Sequence, residues 1–147
     1  MKSLMEQAKA LERELKNLKD DIHRHPELSF EERRTTVILK EKLTALGLEI
    51  VDLGMETGVV AVLRGGLPGG TVALRADIDA IAQQEAAHEG VVSCIDGVMH
   101  GCGHDFHTVG LYGAAKLLSQ NRETLEGTVV FLFQPAEEVT QGAQAMI

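Results

Sequence analysis

The segment from Met99 to His107 places three histidines, one cysteine and one aspartate within eight positions: His100, Cys102, His104, Asp105 and His107. Cys102 and His104 are two apart, with a glycine between them. In extended or turning backbone, positions i and i+2 face the same side. The glycines let the chain bend so that both side chains can point at one cation. Thiolate and imidazole are ligands preferred by zinc and neighbouring borderline metals. A structural alternative makes Asp105 a helix N-cap, Cys102 a buried thiol and the histidines surface residues.

Gln134-Pro135-Ala136-Glu137-Glu138 is a second constellation. It follows a hydrophobic strand, and strand ends in α/β folds are where sites are built. Pro135 ends the strand, so Glu137 and Glu138 can converge in a turn. One carboxylate can then hold a metal while the other takes a proton from an attacking water. A solvated helix start explains the same pair without chemistry. Arg75-Ala76-Asp77-Ile78-Asp79 closes another strand, and a carboxylate there could orient a ligand histidine. A helix cap or a salt bridge to Arg75 is the alternative. His23-Arg24-His25-Pro26-Glu27 falls at a helix C-terminus, where positive groups suit the dipole, and reads as structural.

The elements that must position these residues follow from periodicity. Leu4, Ala8, Leu11, Leu15, Leu18 and Ile22 are spaced three and four apart, which predicts a helix ending near His25, before Pro26. Ser29 to Glu32 reads as a capping box, with Ser29 as N-cap, for a second helix that runs to about Leu46 and stops at Gly47. Leu48–Leu53, Val59–Arg64 and Thr71–Ala76 are short β-branched strands, the last two expected to pair as a hairpin across the glycine-rich segment 65–70. Residues 77–104 read as loop. A third helix, marked by Phe106, Val109, Gly113 and Leu117, has small residues suited to close packing on a sheet. Thr128–Phe133 is a strongly apolar strand, and Gln141–Ile147 resembles a helix start. This order gives an α/β layer architecture with a mixed sheet. The helical return through residues 106–119 permits a parallel pair.

Composition narrows the function class. The chain has 147 residues, 44 % hydrophobic and 24 % charged, which is one domain's worth of ordinary globular sequence. Aromatics are 3 % and tryptophan is absent, so Leu, Val, Ile and Ala must build the core. Residues 1–50 hold ten basic and ten acidic side chains; the net charge of −8 therefore comes from residues 51–147. An acidic chain is a poor partner for phosphate backbones, which argues against nucleic acid. No apolar stretch approaches the ~20 residues of a membrane span. Two cysteines do not make a disulfide framework, and Lys2, Glu6 and Lys9 interrupt any signal-peptide core, so the expected compartment is the cytoplasm.

Taken together, Asp21 to Ser29, Leu74 to Ala80, Met99 to His107 and Gln134 to Glu138 resemble, in order and spacing, the N-acyl amino acid amidohydrolases. This is the branch of the metal-dependent aminoacylase and carboxypeptidase clan that includes hippurate hydrolases. The resemblance implies a zinc-peptidase-like catalytic domain, α/β with a mixed sheet and helices on both faces, of which residues 1–147 are the N-terminal portion. It implies two divalent ions (Zn, Mn, Co or Ni) held in part by Cys102, His104 and Glu138, with the thiolate bridging. Glu137 would be the general base, and Asp77 matches the clan's supporting aspartate. The implied reaction is hydrolysis of a small N-acyl amino acid, with a homo-oligomer as the assembled enzyme. Ile81-Ala82 replaces the Leu-Pro common in the family. Two further histidine ligands, a lid and dimerisation domain, and the closing strands are expected outside these residues. A chain that ends on Met146-Ile147 in helical sequence fits that expectation. Two other readings are a metal-binding or interaction module without turnover, and a metal-free Cys102–His104 thiol hydrolase.

Overall fold

The computed structural model describes residues 3–147; Met1 and Lys2 lie outside the described residues. The elements are α1 (Leu4–Arg24), α2 (Arg33–Ala45), β1 (Glu49–Val51), β2 (Val59–Arg64), β3 (Leu67–Asp77), α3 (His104–Gln120), a 3-10 turn (Arg122–Thr124), β4 (Glu126–Gln134) and α4 (Gly142–Ala145). Helix α1 ends where Pro26 requires, and its start is fixed by a reciprocal Ser3–Glu6 capping box that the apolar spacing did not point to.

The expected cap on α2 is different. Ser29 does not cap the helix; its hydroxyl donates to Asp79 Oδ2 at 2.7 Å. The amides of Arg34 and Thr35 instead donate to the two carboxylate oxygens of Glu27, at 2.7 and 2.8 Å. A carboxylate beyond Pro26 thus does the work of an N-cap side chain, and its charge suits the positive end of the helix. Ser29 is thereby free to serve the site.

The four strands form one mixed sheet in the order β1-β2-β4-β3. The hairpin expected between β2 and β3 does not form. Strand β4 lies between them, antiparallel to β2 and parallel to β3. The parallel pairing is the one that the return through α3 permits. Two causes defeat the hairpin. The sequence Val129 to Phe133 is the most apolar strand and takes the central position. The glycines of segment 65–70 serve close backbone approach instead of a turn: a side chain on Gly65 would collide with the Leu125 carbonyl, and Gly127, at φ +77°, is pressed against Gly70. Residues 67–70 therefore extend β3, with a register shift before Thr71.

Alternation along the strands decides the core. Val59, Ala61 and Leu63 of β2, Val129, Phe131 and Phe133 of β4, and Ala76 of β3 share one face. They cluster with Leu18 and Ile22 of α1, Leu39 and Leu43 of α2, and Val109, Tyr112 and Ala115 of α3. The core is mainly aliphatic, as expected, but Phe131 and Phe133 are its largest fully buried side chains. Within the described residues the three long helices gather on this face, so the helices expected on both faces are unequally shared. Gly113 of α3 admits Leu15 of α1 and not the sheet, and Tyr112 and Lys116 both bond to the Glu14 carboxylate.

Phe131 is fully buried on the central strand, so its truncation removes packing from both β2 and α3 neighbours. Phe131→Ala is expected to lower stability by about 3–5 kcal/mol, read as a lower urea midpoint; a loss under ~1 kcal/mol would contradict this placement of the core.

Candidate metal centre

Strands β3 and β4 are parallel and in register at their ends, where Asp77 pairs with Gln134. The backbone continues the ladder one step further, with the Ile78 amide donating to the Gln134 carbonyl at 3.0 Å. The Asp77–Asp79 segment and the Gln134–Glu138 segment therefore leave the sheet side by side, at its carboxyl edge. Helix α3 begins at the same edge, with His104 as its first residue after a left-handed Gly103. Thr108, one turn on, ties helix to strand by donating to the carbonyls of Asp77 and His104.

His104 is 4 % exposed and lies at the centre of this arrangement. Its Nδ1 is 2.9 Å from the Asp79 carbonyl oxygen. A carbonyl only accepts, so Nδ1 carries the proton and donates. Asp79 Oδ1 lies 3.3 Å from the same nitrogen. The opposite nitrogen, Nε2, faces Asp77 Oδ1 at 3.6 Å and Glu137 Oε2 and Glu138 Oε1 at 3.8 Å each. Burial works against a charged ring. The Asp79 bond and the Asp77 and Asp79 charges outweigh it and raise the His104 pKa to about 8. Without a metal, the acids thus keep a proton where a cation would sit.

Two overlapping sets have ligand atoms within 4.8 Å of one another: Asp77, His104 and His107, and His104, Glu137 and Glu138. Glu138 Oε1, on the Nε2 side of the ring, is buried and lacks a hydrogen-bond partner. A buried lone pair left open beside an imidazole fits a site for a cation. Cys102 falls outside both sets and is exposed. Its thiol is nevertheless pushed up to about 11, first by hydrogen bonding to Glu138, then by burial and the charges of Glu138, Glu137 and Asp79. That environment disfavours a free thiolate nucleophile, which argues against the metal-free thiol hydrolase. A divalent cation would reverse it.

The structure thus brings His104, Glu137, Glu138 and Asp77 together, with Cys102 beside Glu138. Asp77 does not orient the protonated nitrogen of His104; it accepts from His107 Nδ1 at 2.6 Å and pairs with Arg75 at 3.2 Å. Asp79 is the residue behind the ring. The period of two in Asp77-Ile78-Asp79 was the signal that both acids share a side. His107 stacks on His104 with ring centroids 5.5 Å apart. His100 is 5 % exposed, and burial depresses its pKa to about 4, which keeps the ring neutral.

The loop leading to Cys102 is strapped to α1. Glu85 Oε2 accepts from the Ser93 amide at 2.6 Å, and Oε1 meets His23 Nε2 and His88 Nε2 at 3.1 and 3.2 Å. His23 also reaches Asp105 Oδ2 at 2.8 Å. The motif from His23 to Glu27 is structural, as expected, but it serves the site: the Glu27 carbonyl accepts from Ala80.

A sequence profile of Peptidase family M20/M25/M40 matches residues 73–147, half of the chain, and the chain belongs to that family. N-acetylcysteine deacetylase of Bacillus subtilis is 46 % identical over 140 residues, covering 95 % of this chain and 37 % of that protein. The IAA-amino acid hydrolase ILR1-like 6 of Arabidopsis thaliana is 44 % identical over 133 residues, covering 90 % of this chain and 28 % of that protein. The crystal structure of Bacillus subtilis YXEP, described as a dinuclear metal binding peptidase from the M20 family, superposes with a TM-score of 0.88 at 47 % identity. It covers 93 % of this chain and 38 % of that one. The chain therefore spans less than two-fifths of each of these proteins.

Burial raises the Glu85 carboxyl, but the Ser93 amide and the His23 and His88 rings outweigh it and hold it at about 2, below the ordinary 4.5. A depressed carboxyl stabilises the fold above its unfolded value and loses that contribution as pH falls toward its folded value. Glu85→Gln is expected to lower stability at pH 7 by about 1–2 kcal/mol, with the gap to the parent narrowing below pH 4.5. Urea midpoints at pH 7 and pH 3.5 check this; a gap that stays constant would contradict it.

Proposed function

We propose that this chain carries the metal-binding and proton-transfer core of a metal-dependent amidohydrolase that cleaves the amide bond of N-acyl amino acids. One observation carries the reading: His104 Nε2, Glu137 Oε2 and Glu138 Oε1 converge at the carboxyl edge of a parallel strand pair. The names of the relatives support the substrate class, since a deacetylase of N-acetylcysteine and a hydrolase of IAA-amino acids both act on an acylated amino acid. The description of YXEP as dinuclear supports two ions. His104 Nε2, Glu138 and Cys102 Sγ would hold part of a two-ion set of Zn, Mn, Co or Ni. The remaining ligands and a lid are assigned to sequence matching the rest of these relatives.

Bound divalent ions would supply Lewis-acid polarisation of the scissile carbonyl and a more acidic attacking water. The chain's own residues do the rest. Asp79 holds His104 in the Nδ1–H form, so Nε2 stays directed at the site. Glu137 is 41 % exposed at the side chain and sits at the mouth of the cluster, where it can take a proton from the attacking water. It then returns that proton to the leaving amine. Glu138, 25 % exposed, lies deeper, as suits a ligand over a base. Asp77, tied to Arg75 and His107, supports the same edge.

Glu137→Gln keeps size and hydrogen bonding but cannot accept the proton. In the full-length protein, turnover on N-acyl amino acids is expected to fall about 10²–10⁴-fold with bound metal unchanged, whereas Glu138→Gln should lower the metal content itself. A chelator should abolish turnover in the parent. Undiminished hydrolysis by metal-free protein would sink the proposal, and exchanged phenotypes would exchange the two roles.

A further inference from the structure

Two carboxylates are buried beneath the site: Glu32 has no part in the chemistry above, and Asp79 enters it only by holding His104 Nδ1. Glu32, just before α2, is 0 % exposed, and Asp79, just after β3, is 1 % exposed. Burying an ionised carboxylate is costly unless donors compensate it, so each is informative about what it holds. Glu32 Oε1 accepts from the Ala136 amide at 2.8 Å. Asp79 Oδ2 accepts from the Glu138 amide at 3.0 Å. The two amides lie on either side of Glu137.

The turn between them is one the chain would not adopt unaided. Pro135 has no amide to donate, and Ala136 is fully buried at φ +52°, in the left-handed region that favours glycine. Strained backbone of this kind persists where its surroundings over-determine it. From the other side, the amides of Gly142 and Gln141 donate to the Ala136 carbonyl, at 3.1 and 3.4 Å. The anchors are themselves joined, because Ser29 donates to the same Asp79 oxygen that receives Glu138. The short Ser29–Glu32 stretch thus supports both sides of the turn.

We infer that Glu32 and Asp79 are positioning residues: paired buried carboxylates that hang the Glu137–Glu138 turn by its two flanking amides and so aim both side chains at His104 Nε2. Asp79 does this while holding His104 from behind, so a single residue sets the spacing between imidazole and carboxylates. Glu32 touches none of the reacting groups and acts only through the turn. Small errors in such spacing cost large factors in rate, on the order of 10²-fold for about 1 Å. The inference builds on the proposed function for its kinetic consequence, but the held turn exists without it.

The test uses the full-length protein and two variants, Glu32→Leu and Glu32→Gln. Amide hydrogen exchange of the 134–140 segment is measured in metal-free protein, and kcat and KM in the metal-loaded enzyme. Glu32→Leu should speed exchange of that segment by about tenfold or more while the β4 core stays protected. It should lower kcat about 10²-fold, with KM changed less than about threefold. Glu32→Gln keeps an acceptor for Ala136 and should recover most of both losses. If Glu32→Leu does not fold, Ser29→Ala, which removes a support of Asp79, is read in its place and should loosen the same segment. Unchanged exchange of 134–140 would overturn the inference, as would losses that are equal in the Leu and Gln variants. Absence of hydrolysis by the parent would instead count against the proposed function, and the exchange data would still decide the positioning role.

Discussion

The hydrogen bond from His104 Nδ1 to the Asp79 carbonyl is the contact on which the arrangement depends. It fixes which ring nitrogen is free, and every other feature of the site is built around that nitrogen. With Nδ1 committed, Nε2 faces three carboxylates from two different strand ends. Against the effect of burial, Asp79 and Asp77 raise the imidazole pKa to about 8. Metal binding and protonation then compete for one atom. Partner atoms behind a ligand histidine are known to set both its orientation and its basicity.

The convergence of these carboxylates on Nε2 needs β3 and β4 to be neighbours. Had β2 and β3 closed as a hairpin, the Asp77–Asp79 segment and the Gln134–Glu138 segment would have had no reason to share an edge. The insertion of β4 between them makes the pair parallel, and parallel strands end on the same side of the sheet. Helix α3 supplies the crossover, and Thr108 pins its first turn to the Asp77 carbonyl. The apolar character of Val129 to Phe133 therefore has a functional effect: it draws β4 to the centre and delivers its carboxyl end to the site.

Local patterns were readable in the sequence where local physics decides them. The apolar spacing of α1, the stop at Gly47 and the density of ligand types around Cys102 and His104 all correspond to what the structure contains. Non-local pairing was not readable. Segment 65–70 looks like a turn because glycine serves turns and close backbone approach equally well, and only the position of β4 distinguishes them. Ser29 looked like an N-cap because its partner Asp79 is fifty residues away, and the actual cap, Glu27, lies seven and eight residues before the amides it accepts from. Glu32 looked like the other half of that capping box for a similar reason: the Ala136 amide that its carboxylate accepts from is distant in sequence. Asp79 was visible as one of two acids, but which one stands behind the imidazole depends on the ring's orientation.

Anomalous diffraction from crystals of the full-length protein grown with zinc tests the central claim most directly. The account predicts two ions at the carboxyl edge of β3 and β4, one at roughly 2.0–2.1 Å from His104 Nε2, with Nδ1 still donating to the Asp79 carbonyl. An ion bound through Nδ1, or ions placed elsewhere with Nε2 unligated, would contradict it.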